Sequence, residues 1–121
     1  MSSICQKQTT NIKGKNVRQS FLAPDVIVKI RLRTSEEGGR ASDIHISSVS
    51  RYGCPLYVDG RYFECRWLLQ DGQLLHLGAE YIVPLKLLQA HLAAPFLLPG
   101  SAIQMWEGKV IADGMIQSLC R

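Results

Sequence analysis

Along most of this chain apolar and polar residues alternate with period two. Val26, Val28, Ile30 and Leu32 share one face while Ile27, Lys29, Arg31 and Arg33 share the other, which is mostly charged. This is the pattern of a half-buried β-strand. Glu36-Glu37-Gly38-Gly39-Arg40 follows, and its glycines let the backbone reverse at little steric cost, so an exposed, charged hairpin tip is predicted there. Ile44 and Ile46 alternate with Asp43, His45 and Ser47 in a weaker second strand, and a loop rich in Ser and Arg leads to a turn at Tyr52-Gly53-Cys54-Pro55.

The middle of the chain reads as successive hairpins. Leu56-Tyr57-Val58 and Tyr62 to Trp67 flank Asp59-Gly60, a dipeptide that favours the tight turn matching the twist of paired strands. Phe63, Cys65 and Trp67 fall on one face, with Tyr62, Glu64 and Arg66 on the other. Gln70-Asp71-Gly72-Gln73 makes a further turn. Pro84 lies inside the apolar run from Tyr81 to Leu88, and because proline cannot donate to a ladder the run is predicted to be an edge or bulged strand. Leu85, Leu88, Leu92 and Phe96 have roughly helical spacing, but Pro84 and Pro95 bound the segment and strands surround it, which favours strand. A second charged tip, Trp106-Glu107-Gly108-Lys109, leads to Val110-Ile111 and Met115-Ile116, read as two strands about an Asp113-Gly114 turn. Six or seven short strands with turns at regular intervals predict an all-β fold, an antiparallel barrel or sandwich.

Composition limits the possibilities further. The chain has 121 residues, 46% of them hydrophobic, enough for one domain with a real core. No apolar run approaches the roughly 20 residues that cross a bilayer, and the first residues lack the apolar centre of a secretory signal, so a cytoplasmic protein without a membrane partner is expected. The formal net charge is +4, and all of it lies in residues 1–24, where Lys7, Lys13, Lys15 and Arg18 face no acid. Ten basic and ten acidic residues cancel over 25–121. The expected organisation is therefore a basic N-terminal arm over 1–24 and a β-barrel domain over 25–121.

Catalytic chemistry finds little support in the sequence. Cys5, Cys54, Cys65 and Cys120 lack the spacing of a zinc or redox motif and read as buried apolar side chains or inert thiols. His45, His76 and His91 form no helix-spaced pair. Asp43, His45 and Cys54 are the one mixed set close in sequence, and their spacing suggests no nucleophile with its base. No Gly-x-x-x-x-Gly-Lys-Ser/Thr loop is present to cradle a phosphate. A non-enzymatic protein without cofactor, metal or nucleotide is expected, acting through surface residues: Glu37, Arg40, Tyr52, Tyr57, Glu107 and Lys109. Trp67 and Trp106, large aromatics in strand alternation, are read as core.

The order of these motifs resembles that of the C-terminal β-barrel domain of elongation factor Tu, over residues 25 to 117. The family's Glu-Gly-Gly-Arg matches Glu37 to Arg40, and its Tyr-Arg-Pro-Gln-Phe-Tyr segment is similar to Tyr52 to Tyr57. Its Pro-Gly-Asp corresponds to Leu77-Gly78-Ala79, and its closing Arg-Glu-Gly-Gly-Arg-Thr-Val-Gly-Ala-Gly corresponds to Trp106 to Gly114 with one residue fewer. The resemblance implies a six- to seven-stranded antiparallel Greek-key barrel. In that family the barrel meets the tRNA T-stem, a GTPase domain and an exchange factor, so it implies a macromolecule-binding module. A protein partner is the first expectation, with an immunity or regulatory role, and RNA is the alternative. Glu107 and Lys109 would stand in the hairpin that touches the tRNA stem.

Overall fold

The structure is a computed structural model, and it describes residues 23–47 and 52–120. The basic arm expected over 1–24 lies outside these residues except for its last two. Among the described residues nine strands form: β1 (Val26–Leu32), β2 (Ile44–His45), β3 (Leu56–Val58), β4 (Arg61–Phe63), β5 (Cys65–Trp67), β6 (Leu74–Leu75), β7 (Glu80–Leu87), β8 (Ala102–Trp106) and β9 (Val110–Leu119). Seven of them make one antiparallel sheet in the order β4-β3-β8-β9-β1-β7-β5, and β2 pairs with β6 apart from it. The all-β barrel read from the sequence is the fold that forms.

What brings the sheet round on itself is a single long hairpin. Asp59 and Gly60 both take positive φ, +50° and +75°, which sets Tyr57 opposite Tyr62 and Leu56 opposite Phe63. The same register continues past Glu64. The Trp67 amide donates to the Tyr52 carbonyl at 3.0 Å, and the Cys65 thiol donates to the Cys54 carbonyl at 3.0 Å. Residues 52–54 therefore run extended beside β5, while the other edge of β5 pairs with β7, and the two ends of the strand order meet. The turn expected at Tyr52 to Pro55 is instead this seam. A Cβ on Gly53 would overlap the Cys65 carbonyl oxygen, so only glycine lets the two backbones approach so closely.

Three further expectations are corrected. Gly114 is not in a turn, because β9 runs unbroken from Val110 to Leu119. A Cβ there would overlap the Lys29 carbonyl oxygen, so the glycine serves the close pairing of β1 with β9. Pro84 is not on an edge, since β7 lies between β1 and β5. Its carbonyl accepts from Leu68 just beyond the end of β5, and the missing donor faces the same side, where β5 has run out. The run after β7 is neither all strand nor a long helix. One short helix, α1 (Ala90–Ala93), forms and passes into a 3-10 turn at Ala94–Phe96, with Pro95 in that turn.

The core is the barrel interior. Val28, Ile30 and Leu32 of β1, Leu56 of β3, Val83 and Leu85 of β7, Met105 of β8 and Ile116 of β9 are buried together, with Trp67 at the seam. Burial of this apolar area is the main stabilising term. Cys54 and Cys65 belong to it as free thiols. Cys120 is disulfide-bonded, so the reading of the cysteines as inert thiols does not extend to it. No helix among the described residues is long and apolar enough to cross a membrane.

Candidate partner-binding surface

Alternation along the strands decides which side chains face outward. Leu56 and Val58 point into the core, so Tyr57 between them points out; Ile103 and Met105 are buried, so Gln104 and Trp106 point out. Tyr57 pairs with Tyr62 on one side and with Gln104 on the other, and Gln104 pairs with Asp113. The result is a row of outward side chains across four strands. Tyr57 and Tyr62 lie 4.7 Å apart, ring centre to ring centre, and Tyr62 meets Trp106 edge to face at 5.5 Å. Tyr62 is 54% exposed, and Tyr57 and Trp106 are half-buried. The reading of Trp106 as core is thus corrected: its place in β8 turns it outward.

Beside these rings lies a shallow depression of about 260 Å³, lined by Tyr57, Asp59, Ala102, Gln104, Asp113 and Gly114. Asp113 is held from two sides. Arg33 donates to both of its carboxylate oxygens, at 2.6 and 2.9 Å, and the Gln104 amide donates at 2.9 Å. The Arg33 hydrogen bonds hold the Asp113 carboxyl below its ordinary range.

The first charged tip is not a hairpin, because β1 pairs with β7 and β9 while β2 pairs with β6, but this turn meets the tip of the β8–β9 hairpin. Arg40, just after the first tip, donates to Glu107 of the second at 2.6 Å, and the Tyr52 hydroxyl donates to the other Glu107 oxygen at 3.1 Å. The Arg40 guanidinium also lies over the Tyr52 ring, 5.9 Å from its centre. Burial raises the Tyr52 hydroxyl well above the usual phenol value. Three of the six predicted surface residues therefore satisfy one another. Arg40 thus reaches across to the second tip rather than pairing with an acid of its own turn.

The other three are dispersed. Glu37 caps the 3-10 turn Ser35–Glu37 through Thr34 and forms a two-pronged pair with Arg31 at 3.0 and 3.2 Å. Those bonds occupy its carboxylate, and they lower its pKa, the Arg31 contact most of all. Tyr57 belongs to the aromatic row. Lys109 stands exposed at the second tip, where its carbonyl accepts from the Glu107 amide at 2.8 Å.

Sequence reasoning missed Tyr62, Trp106, Gln104, Asp59 and Asp113 as surface residues that act together. The signal was present in the Asp59-Gly60 turn, because a two-residue turn fixes Tyr57 opposite Tyr62. The mixed set Asp43, His45 and Cys54 does not assemble. Asp43 accepts from the Leu77 amide and pairs with His76 at 3.1 Å, His45 is exposed, and burial pushes the Cys54 thiol up to about 12. No group of three or more metal-ligating side chains occurs among the described residues.

No protein-family model matches this chain, and no curated protein matches it.

Proposed function

We propose that this chain is a non-enzymatic β-barrel module that binds a protein partner through the outer face of β3, β4 and β8. The observation that carries the reading is the aromatic row Tyr57, Tyr62 and Trp106, kept outward and half-exposed over a barrel whose core is filled without it. Tyrosine and tryptophan are the side chains most enriched at binding hot spots, where large rigid area is gained at small entropic cost. An elongation factor Tu-like barrel is the sharper form, supported by the order of motifs from Glu37 to Gly114. In that form the chain stands in for the elongation factor domain, as an immunity or regulatory protein would.

Affinity capture with the full chain from a lysate of its source, wild type beside the Tyr62→Ala, Trp106→Ala double variant, tests the reading. Both substitutions lie on the outer face, so the fold should persist, and circular dichroism checks this. A defined set of proteins retained by the wild type and lost with the double variant is expected. Added elongation factor Tu should compete for the same proteins if the sharper form holds. Identical capture by both chains would overturn the reading. Capture of structured RNA alone, with an affinity that falls steeply with salt, would replace it with the RNA alternative.

A further inference from the structure

The depression beside the aromatic row has a chemistry that selects its ligand. Its side-chain polar groups are Asp59, Gln104, Asp113 and the Tyr57 hydroxyl, so no lysine, arginine or histidine lines it. Asp113 is already satisfied by Arg33 and Gln104. Gln104 donates one amide N–H to Asp113 and keeps its carbonyl oxygen to offer as an acceptor. Asp59 is exposed at the hairpin turn, and no ion pair engages it among the described residues. The acceptors that remain are the Asp59 carboxylate and the Gln104 oxygen, beside the Tyr57 ring. All three attract a cation that only donates hydrogen bonds.

Resting on the protein-binding reading above, we infer that this depression receives an arginine side chain of the partner. A guanidinium carries five N–H donors in a planar fork and no acceptor, so it reaches Asp59 and the Gln104 oxygen while its flat face lies along Tyr57. A lysine ammonium offers a point charge without that plane and gains less from stacking. The size agrees. About 260 Å³ is below the usual range of small-molecule pockets, roughly 300–1,000 Å³, and suits one long side chain rather than a cofactor. Asp59 itself takes a left-handed backbone, φ +50°, that a side chain adopts at some cost, and this conformation fixes where its carboxylate leaves the turn.

Titration of the full-length protein with N-acetyl-arginine amide, followed by backbone amide NMR, tests the inference directly. Saturable shifts at Tyr57, Asp59 and Gln104 are expected, with a dissociation constant in the millimolar range, about what one exposed side chain supplies. N-acetyl-lysine amide should bind more weakly and N-acetyl-glutamate amide not at all. Asp59→Asn keeps the turn, since Asn-Gly is favoured there, and should weaken arginine binding by roughly two- to fivefold, the worth of an exposed ion pair. The inference is overturned if no shift saturates, if the glutamate derivative binds equally, or if D59N binds as the wild type does. The two readings fail separately. Loss of protein capture in the Tyr62→Ala, Trp106→Ala variant together with no arginine binding removes only the arginine site. Arginine binding at Asp59 together with capture indifferent to the aromatic row keeps the site and removes the docking surface.

Discussion

Several charged side chains on the outside of the barrel are paired, and Asp113 is held by two neighbours. Two bonds from Arg33 and one from Gln104 occupy its oxygens, and its carboxyl titrates below the ordinary value as a result. Arg33 is raised in turn, by the same hydrogen bond. A carboxyl whose folded pKa is depressed contributes stability that is present above its unfolded pKa, about 3.9, and is lost as pH falls through the folded value. Glu37 and Asp43 are depressed too, by Arg31 and by the Leu77 amide respectively, so the acid limb is shared. The thermal midpoint should therefore hold nearly steady from pH 7 to about 4.5 and fall below pH 4. Asp113→Asn cannot titrate, and the neutral variant should begin less stable and lose less between pH 4 and pH 2.5. If thermal scans across that interval show the same drop in both proteins, the Arg33 pair does not carry the acid sensitivity assigned to it. The Arg40 and Glu107 pair is a different case: both side chains are partly exposed, and such a pair is worth only about 0–1 kcal/mol. It fixes the relative position of two loops more than it stabilises the fold.

Among the elements, the seam between residues 52–54 and β5 decides whether the sheet is open or closed. It consists of few groups: the Tyr52 carbonyl bonded to Trp67, the Cys54 carbonyl bonded to the Cys65 thiol, and the Tyr52 ring set edge to face against Trp67 at 5.0 Å. Burial raises the pKa of Tyr52, that of Cys54 to about 12, and that of Cys65. All three are kept neutral by the folded seam. A group whose folded pKa lies above its unfolded one leaves stability intact below the unfolded value, about 8.5 for a thiol, and stability is lost as pH rises from there. Each thiol can contribute a slope of up to about 1.4 kcal/mol per pH unit over that range. Urea midpoints measured at pH 7, 8, 9 and 10 should hold and then decline. The Cys54→Ala, Cys65→Ala variant should start lower and decline less steeply, because only the tyrosine remains to titrate at the seam. Equal slopes would show that the seam is not where alkali acts. A sequence reading does not reach this seam, because the Gly-Cys-Pro segment has the composition of a turn. What makes it extended is the continued register of the hairpin past Glu64, a tertiary fact.

At the scale of the molecule, what was legible depended on whether a signal was local. Alternation located β1, β3 and the hairpin beyond it, and the glycine tips at Gly38 and Gly108 do take positive φ, +91° and +72°. Gly114 and Pro84 were misplaced for one common reason: glycine and proline mark turns and edges when read locally, yet here each answers to a neighbouring strand, β1 for Gly114 and the end of β5 for Pro84. The candidate surface was half legible. Arg40, Tyr52 and Glu107 were identified and do meet, but they satisfy one another, whereas the outward aromatic row had to wait for the pairing of β3 with β4 and β8. The two tryptophans embody that division. Trp67 lies in the core at the seam, 4% exposed and with its indole N–H unpaired, and Trp106 lies on the outer face against Tyr62. Trp106→Phe leaves only the buried reporter, whose emission should be blue-shifted and resistant to acrylamide. Trp67→Phe leaves only the outer one, red-shifted and readily quenched. Removing Trp67 also deletes an unpaired buried donor while opening a space in the core, two terms of opposite sign, so the variant should remain folded. Since one nearly closed barrel unites both sites, the urea midpoint read by fluorescence should coincide with that read by far-ultraviolet circular dichroism in each variant, as one cooperative transition requires. An outer-face signal that melts ahead of the backbone signal in the Trp67→Phe protein would mean that β3, β4 and β8 come apart before the rest, and that the partner-binding face is a separately unfolding unit rather than part of a rigid barrel.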